Sequence, residues 1–392
     1  MKLWRLLLTT GCALLLQGCA STVPPMPPTA GLFNDALFAP EARSVDAEQV
    51  FAMSLPMQDY LRQEIAPQVR RVGWRQALLD ALYSRSALQL EYDAEHTRTA
   101  AEAFDARRGN CLSLVLMTAS FARALGLPVR FNAVHVEDQW RRSGRFDVLS
   151  GHVNLSLGRA PADRISVTAA PDIWTIDFLP ADQLVGQRSR EISERTVLAM
   201  YFSNRAAEQM MLGQLDAAYW SVRAALDHDP HFVGAYNTLG VIYRRHAQPV
   251  LAEAVFRHVV GLEPTSPVGL LNLQLVLRDQ GREAEAGAIA ERLATLDSAP
   301  PYKFFDLGLA ALRAGQFQEA KRQFKREIER MAFVHEFHFG LALAHYALGE
   351  LDEARQQLAL AREYSATSQD RLRYDGKLAS LRGVRSGVRA PG

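Results

Sequence analysis

Cysteine is nearly absent from this chain: three residues in 392, at positions 12, 19 and 111. So few thiols exclude a disulfide-stapled scaffold and a cysteine-rich zinc module. A surplus of one charge is missing too, because 44 Lys and Arg offset 43 Asp and Glu to leave a net +1. No global field therefore draws in a polyanion, and no zinc-finger or RNA-binding motif suggests nucleic acid. HExxH, CxxC, phosphate-loop and GxGxxG patterns are also lacking, so nothing points to a metal or cofactor. No apolar run reaches the ~20 residues needed to cross a bilayer. What remains is 48% hydrophobic and 22% charged, a soluble composition in a chain long enough for two or three domains.

The first residues stand apart. Lys2 and Arg5 form a basic start, Leu6 to Leu16 a short apolar stretch, and Leu16-Gln17-Gly18-Cys19 closes it. This ending resembles the lipobox of bacterial lipoproteins, where cleavage precedes the cysteine and its sulfur takes lipid. The resemblance implies a signal peptide over 1–18, lipidation of Cys19 and anchoring to a membrane. Ala20 and Ser21, in place of an acidic residue, imply the periplasmic face of the outer membrane. The alternative is an ordinary cleaved signal with an incidental cysteine. Under the lipoprotein reading Cys12 leaves and Cys19 is capped, so Cys111 is the sole free thiol. A lone thiol in an oxidising compartment calls for a use. Residues 19–43, with Pro24, Pro25, Pro27, Pro28 and Pro40, predict a semi-extended tether.

Residues 44–190 mix helix and strand signals. Helical periodicity starts near Ser44, with Val50, Phe51, Met53 and Leu55 and then Tyr60, Leu61 and Ile65; a second helix is expected over Trp74 to Tyr83. Thr99-Ala-Ala-Glu102 reads as a capping box opening a third. Asn110 is a good N-cap for a fourth, in which Leu112, Val115, Leu116, Ala119 and Ala122 recur at helical spacing before Gly126 and Pro128 stop it. Cys111 then sits in the first turn of a buried helix. Strands are expected at Val129 to Val136, Ser150 to Leu157 and Trp174 to Phe178. The second places His152, Asn154 and Ser156 on one face, and the third places Asp177 with Thr175. Gln139 to Asp147 and Gly158 to Pro171 read as polar loops. The whole segment is α+β.

From 191 to 371 the chain is helical and repeats with a period of 34. Ala218, Ala252, Ala286, Ala320 and Ala354 share one column, where paired helices must touch. Gly213, Ala247, Gly281, Gly315 and Gly349 share another, at the turn between them. Arg205, Leu239, Leu273, Leu307 and Leu341 form a third. The clearest unit, Tyr236, Leu239-Gly240, Tyr243, Ala252, Phe256 and Pro264, resembles the tetratricopeptide repeat. About five repeats over 199–368 are expected to form an all-α solenoid whose groove holds a protein or peptide partner. Residues 372–392 read as a basic tail with a capping helix and a disordered end.

Cys111 has the makings of a thiol nucleophile. A helix start favours the thiolate, its free N–H groups suit an oxyanion, and Arg107 and Arg108 would add positive potential. His152 and Asp177 share an orientation on neighbouring strands, so an imidazole held by a carboxylate can face the sulfur. Competing accounts are a small buried hydrophobe for Cys111, His135 as the base and Asp172 as the carboxylate. Asn110 and Asn154 could donate to an oxyanion, though capping and cross-strand bonding explain both. His335, His338 and His345 invite a metal, but the repeat puts them at packing positions, so no metal ligand is assigned.

Arg108-Gly-Asn-Cys111-Leu-Ser-Leu followed by Ala122-Arg-Ala-Leu-Gly-Leu-Pro-Val-Arg130 resembles the core of the transglutaminase-like superfamily. Gly151-His152-Val-Asn-Leu and Trp174-Thr-Ile-Asp177-Phe match its two strand motifs. The resemblance, over about 95–180, implies an α+β transglutaminase-like, papain-like cysteine peptidase fold with Cys111, His152 and Asp177 as its triad. It implies a cofactor-free thiol hydrolase acting on protein or peptide amides, with the repeats recruiting the substrate. Two alternatives stand beside this: a catalytically silent scaffold for protein interaction, and an amine-transferring transglutaminase.

Overall fold

The computed structural model describes residues 29, 31–40, 45–83, 88, 90–94, 96–135, 140–143, 146–149, 151–158, 173–179, 187–296, 302–365 and 367–386. The signal segment with Cys19, the alternative carboxylate Asp172 and the end of the basic tail lie outside these residues.

Helical periodicity after Ser44 becomes several short pieces rather than one rod. They are α1 (Ala47–Phe51), α2 (Leu55–Tyr60), a π turn at Leu61–Ile65 and α3 (Ala66–Tyr83). Ser54 accepts the Met57 N–H to start α2 afresh, and Gly73 at φ 80° breaks α3 just before Trp74. The next helix, α4 (Ala100–Ala106), opens on the expected capping box: Thr99 Oγ1 accepts the Glu102 N–H and Glu102 accepts the Thr99 N–H at 2.9 Å.

The centre of this part is α5 (Cys111–Ala124), every residue of which is buried from Cys111 to Ala122. A helix buried on every side is a core helix, and its Thr118 and Ser120 hydroxyls bond back to the carbonyls one turn earlier. Two short parallel strands, β1 (Glu91–Tyr92) and β2 (Arg108–Gly109), lead the chain into it. Gly109 is required there, since a Cβ would come within 2.7 Å of the Ser113 Cβ.

Three strand pairings build a four-stranded antiparallel sheet, in the order β7 (Trp174–Ile176), β6 (His152–Leu157), β3 (Val129–His135) and β8 (Arg188–Ile192). Val153, Leu155 and Leu157 join Phe131, Ile176 and the α5 side chains in one apolar core. The opposite face of β6 is also buried but polar, and a ladder of bonds satisfies it. Asn132 donates to Asn154 and Ser156 at 2.9 Å each, and Ser156 shares a proton with Thr175 at 3.0 Å. Two features depart from the sequence reading. Gln139 to Asp147 reads as loop, yet β4 (Trp140–Ser143) and β5 (Phe146–Leu149) pair antiparallel there. Backbone bonds hold such a ribbon, so its charged residues hide it. β8 has no apolar alternation because four of its five residues are exposed at the sheet edge.

The helical part stacks antiparallel pairs: α6 (Glu194–Met211) with α7 (Leu215–His228), α8 (Val233–Arg245) with α9 (Pro249–Leu262), and α10 (Pro267–Asp279) with α11 (Glu283–Thr295). Then come α12 (Lys303–Arg313) with α13 (Phe317–Arg330) and α14 (His335–Ala347) with α15 (Leu351–Glu363), closed by α16 (Ser368–Ser386). All five members of the alanine column have zero exposure, as close helix contact requires. All five members of the turn column have positive φ, from 55° at Ala247 to 78° at Gly349. Position 247 is thus the one strained member of a turn otherwise built from glycine. Arg205 and Leu307 are the two column members that fall outside the core.

The two parts meet through α6. Thr97 N–H donates to Glu208 Oε1 at 2.6 Å, and Arg123 at the end of α5 pairs with Glu194 at 2.5 Å. A second junction corrects the tether. Residues 31–40 do not stand off as a free spacer but lie along α7 and α8. Phe38 stacks on Tyr219 at 3.9 Å, Trp220 donates to the Ala39 carbonyl at 2.7 Å, and Tyr243 donates to the Leu32 carbonyl at 3.0 Å. Leu32 and Phe38 are the buried side chains that make this segment stick. Among the described residues no helix is long and apolar enough to cross a membrane.

Candidate active site

Local sequence sets Cys111 at the first position of α5. Asn110 Oδ1 accepts the Ser113 N–H at 2.9 Å and its hydroxyl at 2.8 Å, so Asn110 is engaged as a cap, not aimed at a substrate. The Cys111 backbone N–H has no backbone partner among the described residues. The register Val134↔His152 and Leu155↔Ile176 then brings β6 and β7 side by side with their polar faces aligned.

The result joins the three expected residues. His152 Nε2 lies 2.7 Å from Asp177 Oδ1, and Cys111 is hydrogen-bonded to the imidazole. With Nε2 taken, Nδ1 is the ring nitrogen left for sulfur. Asp177 is itself fixed, accepting the Leu179 N–H on Oδ1 at 2.9 Å and the Asn154 amide on Oδ2 at 2.8 Å. Asn154 makes the expected cross-strand bonds, accepting from Asn132 and donating to Asp177, and so orients the carboxylate, a role the sequence reading does not assign to it. Its i, i+2 spacing from His152 is the available signal, because that spacing places both on one face beside the next strand. His135 falls one residue past Val134, the partner of His152, so the register puts its position on the opposite face.

Electrostatics favour a charge-separated pair. Burial raises the Cys111 thiol pKa, but the bond and charge of His152 outweigh it, with the Val153 and Leu112 N–H groups adding to them; the net shift is downward. Burial also opposes protonation of His152, and the bonds to Asp177 and Cys111 overcome it to lift its pKa to about 9. Asp177 is held below the usual carboxylate range; desolvation works against this, and the His152 bond prevails. Arg108 lies 3.7 Å from Asp93, which also holds Arg98 at 2.9 Å, and neither Arg107 nor Arg108 is among the causes that lower the Cys111 thiol. Cys111 is 8% exposed and the His152 side chain 1%, so the pair sits at the floor of the molecule's surface, not on it.

The three histidines of the last repeat have protein partners. His335 bonds Tyr374, His338 bonds Gln357 and the Ala332 carbonyl, and His345 bonds Glu350. His338 and His345 are buried in the repeat packing.

Comparison with known proteins bears on the helical part. Residues 305–368 match the family model described as Tetratricopeptide repeat. No curated protein matches the sequence. Solved structures similar to the chain include pilF of Pseudomonas aeruginosa, at 22% identity over 50% of this chain and 88% of that one, with a TM-score of 0.31. TTC0263 of Thermus thermophilus shares 21% identity over 46% of this chain and 99% of its own, with a TM-score of 0.31. YrrB, described as a tetratricopeptide protein with an unusual peptide-binding site, shares 18% over 45% and 92%, with a TM-score of 0.25. Residues 305–368 thus carry tetratricopeptide repeats, and the helix pairs before them repeat the same 34-residue packing.

Proposed function

We propose that this protein is a transglutaminase-like thiol hydrolase acting on protein or peptide amides, with Cys111 as nucleophile, His152 as base and Asp177 as the orienting carboxylate. The observation that carries the reading is the continuous Cys111–His152–Asp177 chain, with its 2.7 Å imidazole–carboxylate bond at a helix start. The Cys111 thiolate attacks the amide carbon, and the Cys111 N–H and the α5 dipole stabilise the oxyanion. Protonated His152 then gives its proton to the departing amine, leaving a thioester. Water, deprotonated by His152, attacks the thioester carbonyl and releases a carboxylic acid and the thiolate. An amine in place of water would make the same site a transglutaminase. The repeats recruit the substrate, and lipid on Cys19 holds the molecule at the periplasmic face of the outer membrane. Intact-mass measurement after acid quench in the presence of peptide substrates tests the chemistry. An adduct on Cys111 that hydroxylamine removes, absent in Cys111→Ala and depleted in His152→Ala, is the expected result. Neither adduct nor cleavage across varied peptides would overturn it.

A catalytically silent scaffold is the second reading. The family match confined to the repeats and the low exposure of Cys111 favour it. Under it the thiol reacts slowly whatever stands at position 152.

A further inference from the structure

The nucleophile helix is not held by its own domain alone. Asn110, the cap of α5, uses its oxygen on Ser113 and turns its Nδ2 to Thr97 Oγ1 at 2.8 Å. Thr97 is 1% exposed, so its polar groups depend on protein partners. The Thr97 N–H reaches Glu208 Oε1 at 2.6 Å, and Glu208 Oε2 is held by Arg205 Nη1 at 3.0 Å. One residue on, the Arg98 N–H donates to Ser113 Oγ at 2.8 Å. An unbroken run of bonds therefore passes from the first helix of the repeats, through residues 97 and 98, into the turn that carries Cys111.

From this geometry we infer that Glu208 is a positioning residue for the candidate thiol site, so the first tetratricopeptide repeat is part of the scaffold that activates Cys111. The inference rests on the thiol-enzyme reading above. Its physical basis is the cap. If Asn110 loses Thr97, its side chain can swing away, the Ser113 N–H in the first turn goes unbonded, and Cys111 is no longer fixed against His152. Glu208 is the anchor because its side chain is only 13% exposed and takes the Thr97 N–H directly, whereas Arg205 is more than a third exposed and braces it from outside. Burial pushes the Glu208 carboxyl up from its ordinary value, against the opposing pull of the two Thr97 bonds. The repeats thereby have a direct line to the site: whatever displaces α6 displaces the cap of α5.

The experiment reads the pH profile of Cys111 alkylation in the full chain, alongside circular dichroism and thermal melting. Glu208→Ala and Thr97→Val each break the run, the second by removing only the hydroxyl; Thr97→Ser restores it. Each breaking variant should move the alkylation midpoint up by about one pH unit, which is roughly tenfold slower labelling on the acid side. Thr97→Ser should label like wild type. If Glu208→Ala does not fold, Thr97→Val decides. A lower melting temperature with an unmoved midpoint would make Glu208 a merely structural residue and overturn the inference, leaving the thiol reading intact. Wild-type labelling that is slow and insensitive to His152→Ala would instead remove the thiol reading and this inference together.

Discussion

Asn154 donates its amide to Asp177 at 2.8 Å, on the oxygen that His152 does not use. The carboxylate is thereby held from three sides, by the imidazole, the Leu179 N–H and this amide. Removing Asn154 frees one Asp177 oxygen in a site where that oxygen is largely shielded from water. Asn154→Ala should slow Cys111 alkylation by a smaller factor than Asp177→Ala, and both should slow it less than His152→Ala. Rates measured at one pH for the three variants check that order. Asn154→Ala as severe as His152→Ala would mean it touches the thiol directly.

The pair also fixes the sign of a pH effect on stability. His152 alone, raised to about 9 in the fold, contributes stability that is full below about 6.5 and lost as pH climbs through about 9. Cys111 alone, depressed in the fold, contributes stability that is full above about 9 and lost as pH falls through its lowered value. The two trends oppose each other between about 6.5 and 9. Urea unfolding of wild type against Cys111→Ala should show a difference that shrinks as pH falls, because the variant removes the thiolate and keeps the Asp177 bond that does most to raise His152. A difference flat across the acid range would contradict the charge-separated pair.

Ala247 occupies a turn position with φ 55°, where the four equivalent residues are glycine. Ala247→Gly relieves the strain of a Cβ in the left-handed region, worth ~1–2 kcal/mol, against ~0.4–1 kcal/mol of added unfolded-chain entropy. A melting temperature raised by a degree or more is expected. A fall would mean that the Ala247 methyl group packs.

Replacing Ala252 or Ala320 with Leu tests the repeat register. Both sites have zero exposure between paired helices, so the larger side chain overpacks them at ~1–3 kcal/mol. Thermal melting that ignores both changes would place the helix contacts elsewhere.

What the sequence reveals and what it hides follow from the range of the interactions. The start of α5 is legible because Asn110, Gly126 and Pro128 act within a turn of where they stand. The repeat is legible because the same contact recurs every 34 residues, so Ala218 and Ala354 report one constraint. The partner of Asn154 is not, since it depends on the β6–β7 register set by Leu155 and Ile176. Nothing local tells that Leu32 and Phe38 bind helices some 180 residues on, with Trp220 reaching Ala39 across 181 positions. Glu208 is invisible for the same reason: it sits 111 residues from Thr97 in an ordinary helical stretch.

The central claim is that Cys111 is a thiolate activated by His152, and one measurement addresses it directly. Iodoacetamide labelling at pH 6 to 7 should proceed far faster than a free thiol of pKa ~8.5 allows. His152→Ala should slow it sharply while circular dichroism is unchanged, and His135→Ala should leave it alone. Slow labelling in wild type, indifferent to His152, would contradict the enzyme account and favour the scaffold reading.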